Sequence, residues 1–275
     1  MKLIISTRTL SAGTLSLLLS GCVTVHSSHS TPEAPPLLAD LDNKVQVTRQ
    51  HAESGDVVAQ HTYGNWLAAV GNRQSALPLL QAAAEKGDVA AQTRLGNLHL
   101  AEGNTTEAVR WLTMAGNAGD LAAQRKLAQL YARGEGVKKD SEQAFYWNVH
   151  AATQGDAVAQ NDVGAAYSLG NGVRKNNATA LSWYRKAAEQ GYALAQFNVA
   201  GAYQQGLGVK KNPGVSYAWY SLAQHNARDS RLKEKAEQMK LRMFAQVSRN
   251  GRAVEAQRLA EQYTRQYAAQ SKGAK

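Results

Sequence analysis

The sequence predicts an all-α fold, a right-handed α/α solenoid of stacked helix pairs, on three observations. The motif Gly-Asp/Tyr-x-x-Ala-Gln occurs five times, at intervals of 32, 32, 36 and 36 residues, starting at Gly55, Gly87, Gly119, Gly155 and Gly191. Self-similarity at such a period is typical of solenoids, in which each unit packs mainly on its neighbours. Four tryptophans recur every 36 residues, and glycine-rich turns separate two helical patterns within each unit.

The N-terminal segment has the pattern of an exported lipoprotein. Met1–Gly21 has a basic start and an apolar run too short to span a bilayer, which predicts a signal peptide. The four residues from Leu19 to Cys22 read Leu-Ser-Gly-Cys, which resembles the lipobox of bacterial lipoproteins, where the cysteine receives a diacylglyceryl group. This resemblance implies lipidation of Cys22, and Val23 in place of aspartate implies sorting to the outer membrane. An ordinary signal peptide with an incidental cysteine is the alternative.

The remaining chain divides into four segments. Residues 22–40 hold the acylated cysteine and a Ser/Pro-rich stretch that predicts a flexible tether. Residues 41–54 are predicted to form an N-terminal capping helix, and residues 55–228 to form five helix pairs. Residues 229–275 are predicted to form basic C-terminal capping helices. The formal charge of the chain is +10. The segment from Arg228 onward contains 12 Lys/Arg and 5 Asp/Glu, so the repeats themselves are close to neutral.

Each repeat unit is predicted to hold a first and a second helix that pack through apolar faces. In the fourth unit these faces are Ala159, Val163, Gly164 and Tyr167 on the first helix, and Ala180, Trp183, Tyr184 and Ala187 on the second. Trp111, Trp147, Trp183 and Trp219 occupy one repeated position, which favours core packing over a ligand platform. Leu79 takes this position in the first unit. Pro78 precedes it, so that helix is predicted to start late, near Ser75, or to bend.

Glycine-rich segments lie between the two helices of the last three units, at Gly134–Val137, Gly170–Val173 and Gly206–Val209. A phosphate-binding loop needs a preceding strand and further glycines, and neither is present. These segments are therefore predicted to be turns in which glycine adopts positive φ. The first two units have shorter loops, which explains their 32-residue period.

These motifs together resemble the Sel-one-like repeat, an α/α relative of the tetratricopeptide repeat. The pattern Ala-x-x-x-Leu/Val-Gly-x-x-Tyr is followed by Gly-x-Gly-Val and by Ala-x-x-Trp-x-x-x-Ala-Ala-x-x-Gly, and the resemblance covers about Gly55–Ala227. It implies a scaffold that binds a protein or peptide in an envelope assembly of the secretion, pilus or exopolysaccharide type. A cysteine-rich branch of the family, associated with penicillin-like compounds, implies the alternative of a cell-wall-directed enzyme or ligand binder. This chain lacks those cysteines.

The resemblance also implies a binding surface on the concave side, formed by first-helix residues that face away from the second helix. Two rows of residues are expected there, one position after and three positions before the small residue of each first helix. The first, the amide row, is Asn65, Asn97, Gln129, Ala165 and Gly201; the second, the upstream row, is His61, Thr93, Arg125, Asn161 and Phe197. Asn and Gln offer a donor and an acceptor to an extended peptide, and Arg125 offers a partner to a carboxylate. Polar residues that simply face solvent are the alternative.

The sequence shows no catalytic or metal-ligand spacing, so we expect a protein that is not an enzyme and has no catalytic residue, cofactor or metal. Its histidines are scattered, and its one cysteine belongs to the lipobox. The basic charge raises nucleic acid as a partner, but an exported, lipid-anchored chain without interleaved aromatics argues against it. The expected partners are a protein or peptide, and the membrane through Cys22. The expected location is the outer membrane, with the solenoid facing the periplasm.

Overall fold

Helices follow one another through the whole described part of the chain. The computed structural model describes residues 36–268, with side chains from 42 to 267, and contains thirteen helices and no strand within that range. They are α1 (Pro36–Glu53), α2 (Val57–Ala69), α3 (Arg73–Glu85), α4 (Val89–Ala101), α5 (Thr105–Asn117), α6 (Leu121–Arg133), α7 (Ser141–Thr153), α8 (Ala157–Leu169), α9 (Asn177–Glu189), α10 (Ala193–Gln205), α11 (Pro213–Asn226), α12 (Ser230–Arg249) and α13 (Ala253–Ala268). The predicted signal peptide and Cys22 lie outside the described residues.

The helices pack as the repeat predicts. The first helices of the five units are α2, α4, α6, α8 and α10, and the second helices are α3, α5, α7, α9 and α11. Each first helix packs on its own second helix, and each second helix of the first four units packs on the next first helix, so contacts run between chain neighbours. The predicted all-α solenoid of helix pairs is confirmed. Helix α1 begins at Pro36, earlier than the predicted start at position 41, because proline suits a first helical turn.

An aspartate caps four of the five first helices. The Oδ1 atoms of Asp56, Asp88, Asp120 and Asp156 each accept a hydrogen bond of 2.7 Å from a backbone N–H three residues later. Each satisfies one of the N–H groups that a helix start leaves without a partner. The preceding glycine has φ between 87° and 95°, a conformation that other residues rarely adopt. Tyr192 takes the aspartate position in the fifth unit and makes no side-chain cap.

The glutamine of the motif joins each unit to the helix before it. Each glutamine donates through Nε2 to the penultimate carbonyl of the preceding helix, where helical N–H donors run out, at 2.9 to 3.3 Å. All five side chains are buried: Gln60, Gln92, Gln124, Gln160 and Gln196. The recurrence of glutamine in the motif therefore reflects a hydrogen bond made once at every junction.

The other end of this glutamine is satisfied in only three units. Gln124 Oε1 accepts a hydrogen bond of 2.8 Å from Gln154 Nε2, and Gln160 Oε1 accepts one of the same length from Gln190 Nε2. Gln196 Oε1 accepts from Asn226 Nδ2 at 3.1 Å. Gln60 Oε1 and Gln92 Oε1 are buried and have no hydrogen-bond partner among the described residues. The residues that correspond to Gln154 are Lys86, whose Nζ donates to the carbonyl of Gly55, and Ala118, which has no side-chain donor.

Small residues set the distance between the two helices of a unit. A Cβ added to Gly96 would lie 2.6 Å from Leu112 Cγ, and one added to Gly164 would lie 2.7 Å from the ring of Tyr184. Both are shorter than any normal Cβ contact, so these glycines permit the close approach of the helices. The predicted small-residue contact is confirmed.

The tryptophan position is fully buried in three units and half-buried in one. Trp111, Trp147 and Trp219 are 2 to 4 % exposed, which confirms core packing. Trp147 lies over Gly116 of the preceding second helix. Trp183 packs against the core cluster that contains Ala152 and Val163, but it is only half-buried, and Lys186 Nζ lies 4.0 Å from its ring centroid.

Helix α3 begins at Arg73, so the predicted late start near Ser75 is wrong. Asn72 caps the helix by accepting from the backbone N–H of Ser75, and Pro78 lies inside it. Proline removes the hydrogen bond to the carbonyl four residues earlier, that of Gln74. Gln74 and Pro78 are both exposed, so water can hydrate that carbonyl. The buried Ala76 and Leu80 hold the opposite side of the helix against its neighbours.

The glycine-rich segments are turns, as predicted, and they also contact the preceding unit. Gly136, Gly172 and Gly208 have φ of 68° to 70°. A Cβ on Gly172 would lie 2.0 Å from the carbonyl oxygen of Ser141, at the start of the second helix of the unit before. The equivalent carbonyl at Gly208 is that of Asn177, 2.4 Å away. Gly71 and Gly103, in the shorter loops, have nothing within 4 Å.

Two helices complete the C-terminal end, as expected. Both α12 and α13 pack on α11, and Gly251, with φ of 70°, lies in the turn between them. The rings of Tyr263 and Tyr267 on α13 lie 5.0 Å and 5.4 Å from that of Trp219. Helix α13 thus covers the last tryptophan of the repeated position.

We expect Ala118→Gln to stabilise the protein by about 0.5–1.5 kcal/mol, the net worth of a protein hydrogen bond. Ala118 and Gln154 are both C-cap residues with nearly the same backbone angles, so the new side chain can reach Gln92 Oε1. Urea unfolding measures the change. Ala118→Glu is the matched control, since it has the same shape and no donor; an equal gain from both variants would contradict this account of Gln92.

We expect Gly96→Ala to destabilise the protein by about 1–3 kcal/mol, the usual cost of overpacking a core, despite the better helix propensity of alanine. Gly201→Ala is the control, because a Cβ there would meet only the Tyr220 hydroxyl, at an ordinary 3.7 Å. The control should raise the stability by up to about 1 kcal/mol. Differential scanning calorimetry of both variants checks the pair, and a stabilised Gly96→Ala protein would show that the helices are not in close contact.

Candidate functional site

The amide row lies on the surface of the first helices and makes no hydrogen bond to the rest of the described chain. Asn97 is exposed, while Asn65 and Gln129 are half-buried. None of these three side chains donates to or accepts from another described residue, and Asn65 Oδ1 is a buried atom without a partner among them. Ala165 and Gly201 continue the row with small residues. Three equivalent amides are therefore available to an external ligand.

The upstream row is engaged within the protein in the first three units. Thr93 Oγ1 donates to Asp120 Oδ1 at 3.0 Å. His61 Nδ1 lies 3.5 Å from Asp88 Oδ1, and Arg125 Nη1 lies 3.6 Å from Asp156 Oδ2. In each case the acceptor is the aspartate that caps the next first helix. This row therefore helps to fix one unit against the next.

The last two members of the upstream row have other neighbours. Asn161 is 3 % exposed, and its Oδ1 accepts from Asn198 Nδ2 at 2.9 Å, so it is not available as a surface contact. Its junction carries Tyr192 in place of the capping aspartate. Phe197 packs edge-on against Tyr220, with ring centroids 5.0 Å apart. The row thus changes from polar bridges to a buried amide and an aromatic pair.

The structure groups the predicted residues in depressions between successive first helices. His61, Asn65, Thr93 and Asn97 line one groove, together with Arg94, whose Nε has no hydrogen-bond partner among the described residues. We call it the α2–α4 groove. A second depression, between α6 and α8, holds Arg125 and Gln129 beside Lys126 and Arg133. Phe197 lines a third cleft further along. Seven of the eight predicted residues therefore line three separate depressions, and the buried Asn161 lines none of them.

Sequence reasoning missed the partners of the upstream row and the bonds of the motif glutamine. The signal for both was present, since each capping aspartate follows an upstream-row residue at a fixed place in the next unit. It also missed Tyr184, Tyr220 and Arg242, which line the third cleft. Tyr184 and Tyr220 occupy the second-helix position that leucine fills in the first two units. That substitution within the repeat was the available signal.

A family model for the Sel1 repeat matches four consecutive segments, 89–120, 121–156, 157–192 and 193–223. Residues 89–223 are Sel1 repeats. Sel1 repeats are a scaffold suited to protein–protein binding, and their proteins are generally not enzymes. The structure adds the pair α2–α3, which precedes the matched segments and has the same capping aspartate, motif glutamine and interhelical glycine.

Several solved structures resemble this chain. A Sel1 repeat protein from Oxalobacter formigenes is 28 % identical, with a TM-score of 0.60, over 70 % of this chain and 84 % of that one. A protective antigen of uropathogenic Escherichia coli strains is 27 % identical, with a TM-score of 0.48, over 82 % of this chain and 57 % of that one. An immunity protein from Pseudomonas aeruginosa is 24 % identical, with a TM-score of 0.34, over 72 % and 73 %. No curated protein matches the chain.

Two further features of the described residues bear on the choice of function. No helix in this part of the chain combines the length and apolarity that crossing a membrane requires. No group of three or more His, Cys, Asp or Glu side chains within it is placed to hold a metal ion. The features of this surface that indicate a partner are its hydrogen-bonding groups and its grooves.

Proposed function

We propose that this protein is an outer-membrane lipoprotein whose Sel1 repeats bind a protein or peptide partner in the periplasm, as a scaffold of an envelope assembly. The observation that supports the binding mode is the amide row. Asn65, Asn97 and Gln129 hold the same place on three successive first helices and make no hydrogen bond to the described protein. Polar side chains that have no hydrogen-bond partner among the described residues favour an external ligand over a purely structural role.

The side chains of the row suit an extended peptide. Each amide offers both a donor and an acceptor, which matches the N–H and C=O groups of such a chain. Asn65 Oδ1 and Arg94 Nε, both without a partner, add an acceptor and a donor in the α2–α4 groove.

The proposed location rests on the lipobox at Leu19 to Cys22 and on Val23 after it. Acyl chains on Cys22 would contribute about 0.8 kcal/mol for each buried methylene, and two or more chains anchor a protein stably. The Ser/Pro-rich segment after the cysteine would then separate the solenoid from the membrane.

We expect Cys22→Ala to leave the precursor unprocessed and to remove the protein from the outer-membrane fraction, because the acyl chains supply its membrane affinity. Membrane fractionation and metabolic labelling with a fatty acid measure the two effects. Ser20→Ala keeps a small residue in the lipobox and should behave as wild type. A Cys22→Ala protein that labels and fractionates normally would rule out the lipid anchor.

We expect the double substitution Asn65→Ala with Asn97→Ala to weaken partner binding by about 2 kcal/mol, roughly thirtyfold, through the loss of two hydrogen bonds. The partner is first identified by crosslinking in intact membranes, and its affinity is then measured by titration calorimetry. Helicity and melting should be unchanged, because neither side chain bonds to the described protein.

The matched control is Gln74→Ala with Asn117→Ala, which removes two exposed amides from second helices. It should bind the partner as wild type does. Full binding by the Asn65/Asn97 variant would place the partner site elsewhere on the molecule.

A further inference from the structure

A cleft of about 430 Å³ lies where the amide row reaches Gly201. It is bordered by residues of α9, α10, α11 and α12, and we call it the C-terminal cleft. Phe197, Leu207 and Met239 are half-buried and give it apolar surface; Tyr184 and Tyr220 also line it but are only 8 % and 2 % exposed. Arg242 lies among its lining residues. Its volume falls in the range of about 300–1,000 Å³ that is typical of ligand sites.

Changes within the repeat explain how this cleft forms. The amide row shrinks along the chain from asparagine and glutamine to Ala165 and finally Gly201, which leaves space at the surface of α10. At the same time the second-helix residue that packs behind the first helix changes from Leu80 and Leu112 to Tyr184 and Tyr220. The small residue opens the space, and the larger rings line it.

The two tyrosines bring polar groups to the walls of the cleft. Tyr220 donates its hydroxyl to Gln204 Oε1 at 2.8 Å, and Ser168, the residue equivalent to Gln204 one unit earlier, also lines the cleft. Burial raises the pKa of the Tyr220 phenol to about 12 and raises that of Tyr184 as well, so both remain neutral at physiological pH. The cleft thus combines ring surfaces with neutral hydrogen-bonding groups.

Arg242 supplies the only charge among the lining residues of the cleft. Its side chain is exposed, and no carboxylate among the described residues pairs with it. The ion pairs of the described residues lie between Arg49 and Asp156, away from α12. A guanidinium without an internal partner at the side of an apolar cleft is complementary to a carboxylate next to an apolar group.

We propose that the C-terminal cleft receives an aromatic side chain of the bound peptide, and that an acidic residue beside it in the peptide pairs with Arg242. This proposal rests on the proposed function, since the cleft continues the amide row at Gly201 and a chain lying along that row would reach it. The half-buried side chains of Phe197, Leu207 and Met239 offer apolar surface to a planar ring. Charge complementarity with Arg242 makes the flanking residue acidic.

The test uses three fluorescein-labelled tetrapeptides and the full chain: acetyl-Gly-Phe-Asp-Gly, its Asn version in place of Asp, and its Ala version in place of Phe. Fluorescence anisotropy measures their dissociation constants. We expect the Asn and Ala versions to bind at least tenfold more weakly than the Phe-Asp peptide. Equal binding of the Phe-Asp and Phe-Asn peptides would overturn the role of the carboxylate. Equal binding of the Ala version would overturn that of the ring.

Two variants locate the binding. Gly201→Leu should fill the cleft and abolish binding without lowering the melting temperature, since a Cβ there meets only the Tyr220 hydroxyl at 3.7 Å. Arg242→Gln should remove the tenfold preference for the Phe-Asp over the Phe-Asn peptide. Arg231→Gln, on the same helix but outside the lining of the cleft, is the control and should keep the preference. Undiminished peptide binding by Gly201→Leu would overturn the proposal.

The effect of the variants on binding of the physiological partner distinguishes this proposal from the proposed function. If Asn65→Ala with Asn97→Ala weakens the partner and Gly201→Leu does not, the amide row stands and the C-terminal cleft is wrong. If Gly201→Leu weakens the partner and the Asn65/Asn97 variant does not, the cleft stands and the amide row is wrong. Weakening by both variants supports a single peptide that lies along the whole face.

Discussion

The buried glutamine of each unit is the interaction on which the rest of the structure depends. In the third and fourth units it joins three helices: its Nε2 binds the end of the preceding second helix, and its Oε1 binds the cap of its own second helix. A buried amide that loses either partner is costly, because its desolvation is not repaid. Sliding of one unit against the next would break the Nε2 bond, whereas the Oε1 bond joins the two helices of its own unit.

The contacts made by the motif glutamine and by the interhelical loop change along the chain. Gln60 and Gln92 use one end of the amide, whereas the three later glutamines use both and so join the two helices of their own unit. The later units also have long glycine turns that approach the preceding second helix, whereas a Cβ on Gly71 or Gly103 would have nothing within 4 Å. The first units are joined to the next by side-chain bridges, from His61 to Asp88 and from Thr93 to Asp120. Both kinds of contact matter, because the interfaces between units carry much of the stability of a repeat protein.

The sequence predicts the parts of the fold that depend on one unit at a time. The positions of helices, capping aspartates, interhelical glycines and most tryptophans follow from spacing and local chemistry. Prediction was incomplete where the role of a residue depends on its contacts with a neighbouring unit. The roles of His61, Thr93 and Arg125 depend on how the next capping aspartate is rotated toward them, which no helical pattern specifies. Trp183 has the spacing of Trp147 and packs on the core, but it is only half-buried, which the spacing does not predict.

The same contrast explains how one face can carry two kinds of binding surface. In the first three units the upstream row serves the junctions, since each residue meets a capping aspartate, and the amide row is left for a ligand. At the junction after the fourth unit, Tyr192 replaces the capping aspartate, and Asn161 accepts a hydrogen bond from Asn198 instead. In the fifth unit the apolar Phe197 cannot form a hydrogen bond with Asp229, which caps α12, and it packs on Tyr220. Asn198, Phe197 and Tyr220 all line the C-terminal cleft. Phe197, which makes no bridge to the next cap, thus becomes part of its wall, and helix α12 contributes Met239 and Arg242.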